Sequence, residues 1–207
     1  MHNYFLFVFW ISLIVCSAND LYSQKDWRLY KDNQNYKLWL KEVAGTSIKQ
    51  FKIETTSQKK DMNTFYNLMR DVENMNKWYD KVKSVKLLKK ISENEAIYLM
   101  EYDLPFPLED RITTIKGAIF FDELKRTIRV ETEYYPYTIP KDKSNLTLIT
   151  KISGVWDIVK QKNGEIMISH VGFMNPEGNI PAWLINEGVT SGPVKTIQNM
   201  LKLLAKY

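Results

Sequence analysis

From Trp27 onward the chain is written in short runs of alternating apolar and polar residues, separated by clusters of turn formers. Trp27-Arg-Leu-Tyr-Lys31 and Tyr36-Lys-Leu-Trp-Leu-Lys41 alternate on either side of Asp32-Asn33-Gln34-Asn35, and Ala44-Gly45-Thr46-Ser47 precedes a third run over 48–55. Period-two alternation is the mark of a strand with one buried face. The period then changes. Phe65, Leu68 and Met69 fall on one side of a helix predicted over 62–70, with Asp61 as its N-cap. A second short helix is predicted over 71–79, ending in Trp78-Tyr79. Strands resume at 82–88, 96–104, 111–121, 127–135, 145–158 and 165–174. Asp122-Glu123, Lys141-Asp142-Lys143-Ser144 and Gln161-Lys162-Asn163-Gly164 read as hairpin-type connections.

The last stretch reads as a long helix. Pro181 suits its first turn, and Ile180, Trp183 and Leu184 fall on one side of it. Past Gly192-Pro193, apolar Val194, Ile197, Leu201 and Leu204 recur at spacings of three, four and three. A bend or brief interruption is expected at Gly192-Pro193. About nine strands, two short helices after the third, and one long terminal helix without βαβ alternation make an α+β protein with a curved antiparallel sheet.

Parity sorts the strand residues. Ile128, Val130, Thr132 and Tyr134 share a face. So do Leu146, Leu148, Ile152, Trp156 and Ile158, and likewise Ile166, Ile168, His170, Gly172 and Met174. The terminal helix is the natural cover for this apolar face, and a curved sheet under one helix leaves room for a cavity. Arg111 shares parity with Thr113, Ile115 and Gly117 and is expected to point inward, with Glu101 on the preceding strand as its partner. Such a buried pair is either a ligand contact or structural.

Composition narrows the class. Of 207 residues, 44% are hydrophobic and 26% charged, as in a globular domain, and the net charge of +5 comes from scattered lysines without a nucleic-acid motif. No nucleic-acid partner is expected; transient contact with an anionic membrane surface is compatible with the charge. The run from Tyr4 to Cys16 is almost wholly apolar. It suits a signal-peptide core and is shorter than the ~20 residues needed to span a bilayer. Residues 1–23 are read as an export signal, although no Lys or Arg precedes the run, and 24–207 as one domain, periplasmic or secreted. The single cysteine, Cys16, lies in that leader, and His170 is the only histidine besides His2. Neither a disulfide nor a metal site is expected, and no cofactor is called for. There is no Gly-x-Ser-x-Gly, P-loop or metal-spaced histidine pair. Asn145-Leu146-Thr147 fits an N-glycosylation pattern.

Four segments resemble one family in order and wording. They are the opening Trp27-Arg-Leu-Tyr-Lys31 with Tyr36-Lys-Leu-Trp39; Asn76-Lys-Trp-Tyr-Asp-Lys-Val-Lys-Ser-Val-Lys-Leu-Leu88; Tyr102-Asp-Leu-Pro-Phe-Pro-Leu-Glu-Asp-Arg111; and Asn175-Pro-Glu-Gly-Asn-Ile-Pro-Ala-Trp-Leu-Ile-Asn186. Together they resemble a bacterial-type START (StAR-related lipid transfer) domain of the Bet v 1-like, helix-grip group. Ile112 and Asn175 depart from it, since the family usually has Asp at both places. The resemblance implies a helix-grip fold, and a monomer that binds or transfers a lipid or sterol-like molecule in an internal tunnel without catalysis. Residues expected to line the tunnel are Glu101, Arg111, Thr113, Ile115, Val130, Tyr134, Leu148, Ile152, Trp156, Ile168, His170, Met174, Trp183, Ile197 and Met200. Two other readings stay open: a cyclase- or aromatase-like enzyme using Glu101 or His170, and a partner-binding module with a filled core.

Overall fold

The computed structural model describes residues 27–58 and 61–206; the leader expected over 1–23 lies outside them. The elements follow the predicted order: β1 (Arg28–Asp32), β2 (Lys37–Glu42), β3 (Lys49–Ser57), α1 (Met62–Arg70), a 3₁₀ helix (Val72–Lys77), β4 (Val82–Lys90), β5 (Glu95–Tyr102), β6 (Arg111–Asp122), β7 (Thr127–Tyr134), a 3₁₀ turn (Lys141–Lys143), β8 (Thr147–Leu148), β9 (Ile152–Lys160), β10 (Ile166–Met174) and α2 (Ala182–Leu204). Nine strands form one antiparallel path, β1-β2-β3-β10-β9-β7-β6-β5-β4. The tenth, β8, pairs parallel with β6 through Arg111↔Thr147 and Ile112↔Leu148.

Local chemistry sets the boundaries. The Asp61 carboxylate accepts from the Asn63 N–H at 2.9 Å and caps α1. Asn33 accepts from the Asn35 and Tyr36 N–H groups and closes the first hairpin. Asn175, where an aspartate was expected from the family, accepts from the Glu177 N–H at 3.0 Å and shapes the turn into α2.

Two expectations need correction. The single strand predicted over 145–158 is two strands, β8 and β9. Between them the chain turns so that the Ile149 N–H donates to the Ile112 carbonyl at 2.8 Å, and Ile149 is fully buried. The segment from Tyr135 to Ile149 thereby folds over the outer face of β5 and β6, where Thr114 Oγ1 donates to the Tyr135 carbonyl at 2.6 Å. The terminal helix is not interrupted at Gly192-Pro193; α2 runs through Pro193. A residue before proline resists helical geometry because its Cβ meets the ring, and glycine at 192 has none.

The core lies between the inner face of the sheet and a cover of α1, the 3₁₀ helix and α2. Phe65, Met69, Trp78, Ile53, Ile158, Ile166 and Ile168 fill it, and from α2 Ile197, Met200 and Leu204 are buried to within 3%. Each such side chain contributes ~1.5–3 kcal/mol on leaving water. The polar faces of β7 and β9 look outward, where Arg129 bridges Glu131 and Asp157.

Candidate functional site

Register places one row of small residues across the sheet. Ala96 on β5 stands opposite Gly117, Gly117 opposite Thr132, Thr132 opposite Gly154, Gly154 opposite Gly172, and Gly172 opposite Phe51. The next row on the same face is bulky: Ile119, Val130, Trp156, His170 and Ile53. A trough between bulky rows therefore crosses the sheet. Two rings lie over its ends. A Cβ at Gly172 would sit 2.5 Å from Phe51 Cζ, and one at Gly117 would sit 3.2 Å from Tyr98 Cε1. Between those rings Thr132 leans over Gly154: a Cβ at Gly154 would sit 2.7 Å from Thr132 Oγ1.

Above this floor is a cavity of about 160 Å³. Tyr98, Met100, Tyr102, Ile115, Val130, Ile152, Trp156, His170 and Met174 line its sheet side; Leu184, Val189, Pro193 and Thr196 of α2 close it. The volume is roughly ten times the ~10–15 Å³ that one water requires. It is also below the ~300 Å³ at which pockets for drug-sized ligands begin. Asp80, Lys81 and Glu187 are the charged residues of the lining, beside the corner that leads into β4. There the Asp80 N–H donates to Thr196 Oγ1 at 3.0 Å and ties α2 to the sheet.

The deep wall is uncharged. His170 is stacked on Trp156, with centroids 3.8 Å apart and planes 7° from parallel, and meets Phe51 edge-on at 5.0 Å. Burial pushes its pKa down to about 3, so the ring is neutral near pH 7. Burial pushes the phenols of Tyr79, Tyr98 and Tyr102 up, out of reach of physiological pH. Burial also raises the Asp80 carboxyl, against the opposing pull of Lys195 and Lys81. Among the described residues no group of three or more His, Cys, Asp or Glu side chains could hold a metal ion.

The expected lining residues divide. Ile115, Val130, Ile152, Trp156, His170 and Met174 come together around the cavity. Ile168, Ile197 and Met200 are buried on the same side but belong to the packed core. Thr113 is fully buried beside them with its hydroxyl unpartnered. Leu148 lies on β8 outside the inner face, and Tyr134 borders a shallow surface depression near Val43 and Asn175. Trp183 is 61% exposed, one residue round the helix from the inward-facing Leu184.

The Glu101–Arg111 pair does not form. Arg111 stands opposite Tyr102, and its guanidinium donates to the carbonyls of Glu109 (2.6 Å) and Pro176 (3.1 Å). It bolts the loop before β6 to the turn before α2, on the same face of the sheet as the lining residue Tyr102. Glu101 faces the other way, under Lys143 at 2.8 Å, Lys83 at 3.2 Å and the Ser84 hydroxyl at 3.0 Å. Burial alone would raise its carboxyl; the hydrogen bonds from Lys143, Ser84 and Lys83 outweigh that and hold it below its ordinary value. The physical reason for the misplacement is that both faces of β5 are covered, so its sequence carries no parity signal. Tyr98, Met100 and Tyr102 on β5 are lining residues missed for the same reason, and Tyr79 and Phe51 were missed with them.

The chain is similar to known proteins. The family model described as the START domain matches residues 16–111, a little under half of the chain. An uncharacterised Pseudomonas aeruginosa protein is 28% identical over 181 residues, which cover 85% of either chain. Human START domain-containing protein 10 is 20% identical over 185 residues, 87% of this chain and 62% of that protein. The crystal structure of the STAR-related lipid transfer protein from Xanthomonas axonopodis matches with a TM-score of 0.75 at 23% identity, covering 86% of this chain and 98% of that one. The START resemblance and the helix-grip fold read from the sequence are borne out.

Proposed function

We propose that this chain, a START-type domain by its family-model match and its fold, is a non-enzymatic carrier or sensor of one hydrophobic molecule held between the glycine row and α2. The observation that supports this most is the apolar cavity between the inner face of the sheet and α2. A filled-core interaction module has no use for a space worth about ten waters. Burial of apolar ligand surface at ~25 cal/mol per Å² drives uptake, less the costs of ordering. Because about 160 Å³ is small for a lipid, loading displaces the first half of α2 or the Phe51 ring. In this reading residues 1–23 direct export, and the domain works as a monomer outside the cytoplasm.

Native mass spectrometry of the gently purified protein is the test. A co-purifying hydrophobic molecule is expected. Gly172→Trp should abolish its retention while the far-UV spectrum persists, because any side chain there competes with the Phe51 ring for space at the cavity wall. A wild-type chain that retains and takes up nothing, or a Gly172→Trp chain that loads normally, counts against the carrier. The cyclase-like alternative loses Glu101, which faces away from the cavity, and is left with His170. Turnover of a polyketide-like substrate that vanishes in His170→Ala would revive it.

A further inference from the structure

Four polar side chains stand along the glycine row. A Cβ placed at Gly154 would lie 2.7 Å from Thr132 Oγ1 and 3.6 Å from His170 Nε2, and one at Gly117 would lie 3.4 Å from the Tyr98 hydroxyl. Tyr79 reaches in from above, with its hydroxyl 3.5 Å from His170 Nε2. That is the outer limit of hydrogen bonding, so neither group is well satisfied by the other. Thr132 is already engaged, donating to the Gly154 carbonyl at 3.1 Å. His170 Nδ1 is buried without a partner. A buried bare lone pair is tolerated better than a buried orphan N–H, which assigns the ring proton to Nε2, on the side of Tyr79 and the glycine row. The deep wall thus offers three donors, Nε2–H and two phenol O–H groups, surrounded by Trp156, Val130 and Met100.

Resting on the carrier reading, we infer that these donors select apolar ligands that bear one uncharged acceptor oxygen, a carbonyl or a hydroxyl, seated against the deep wall. An ionised headgroup does not fit the same place. The charged residues of the lining, Asp80, Lys81 and Glu187, sum to no positive charge, and Lys195 already pairs with Glu187 at 3.2 Å. A carboxylate or phosphate would be desolvated with no cation to compensate it. His170 is neutral near pH 7 and supplies no positive charge either.

Calorimetric titration of the purified chain with naphthalene, 2-naphthol, 2-acetylnaphthalene and 2-naphthoate at pH 7 tests this. 2-Naphthol and 2-acetylnaphthalene report the hydroxyl and carbonyl sources separately. At least one should bind about fivefold to tenfold tighter than naphthalene, the worth of one or two net hydrogen bonds. 2-Naphthoate should bind more weakly than naphthalene. In Tyr79→Phe/Tyr98→Phe the oxygen preference should fall to within about twofold, while naphthalene still binds and so reports an intact cavity. Equal binding of naphthalene and both oxygen probes by the wild type overturns the inference and leaves the carrier reading standing. So does 2-naphthoate as the tightest probe, or a preference that survives in the double variant. Binding of none of the four overturns both.

Discussion

The two halves of α2 do opposite work. From Val194 to Leu204 the helix is a packed core element, with Ile197, Met200 and Leu204 sunk among strand side chains. From Ala182 to Pro193 it spans a space, its Leu184, Val189 and Pro193 facing a cavity and its Trp183 facing out. One continuous helix is therefore anchored at one end and suspended at the other. Core packing and the cover of the cavity are assigned to different turns of the same element, so a variant can perturb one without the other.

The sharpest way to break that division is to truncate one side chain in each half. Met200→Ala should cost about 3 kcal/mol, within the ~2–5 range for deletions from a fully packed site. Leu184→Ala should cost about 1 kcal/mol, because a side chain beside a void has fewer partners to lose. Paired urea titrations check the contrast, and equal costs would mean that the halves are packed alike.

The cavity wall also has a pH signature. His170 has a folded pKa of about 3 against 6.5 in an ordinary environment. The unfolded chain then binds a proton between those values that the folded chain refuses, so stability falls as pH drops below 6.5 and the loss is complete near 3. At pH 5 the loss is about 2 kcal/mol, from 1.36 kcal/mol per unit. In His170→Gln the slope of stability between pH 6.5 and 5 should flatten; an unchanged slope would place the titration elsewhere. That window lies above the range in which Glu101 loses its charge, since its pKa is held below 4.5.

The smallest effect is expected at Glu101 itself. Glu101→Gln should cost about 1 kcal/mol, because Lys83 and Lys143 are partly exposed and can turn to solvent. It should leave the binding of any cavity ligand unchanged. A binding loss there would return Glu101 to the site.

Where strands present one face to water, their residues told which way they point. Arg129, Glu131 and Asp157 mark the outside of β7 and β9, and Val130, Trp156 and His170 follow as the inside. Period two is a solvent signal, and it fails where solvent is absent. On β5 both faces are covered, so Ile97, Leu99 and Glu101 are as buried as Tyr98, Met100 and Tyr102, and alternation says nothing. The glycine row was hidden for a different reason. Gly117, Gly154 and Gly172 each sit on an inward parity, but only the alignment of one strand with the next shows that they share a row. That alignment depends on long-range pairing, which no local pattern carries. The stripe of Val194, Ile197, Leu201 and Leu204 was legible because a packed helix repeats. The suspended half repeats less clearly, and Trp183 was misplaced with it.

The trough is a property of alignment, not of any strand. Slide β9 by two residues along β7 and Trp156 or Ile152 would stand opposite Thr132 in place of Gly154. Every inward residue would still be inward, and the apolar content would be untouched, yet the floor would be plugged by a side chain. Hollowness in this protein is thus a vernier reading: it exists only while several independent scales coincide, and an error of one notch erases it without unfolding anything.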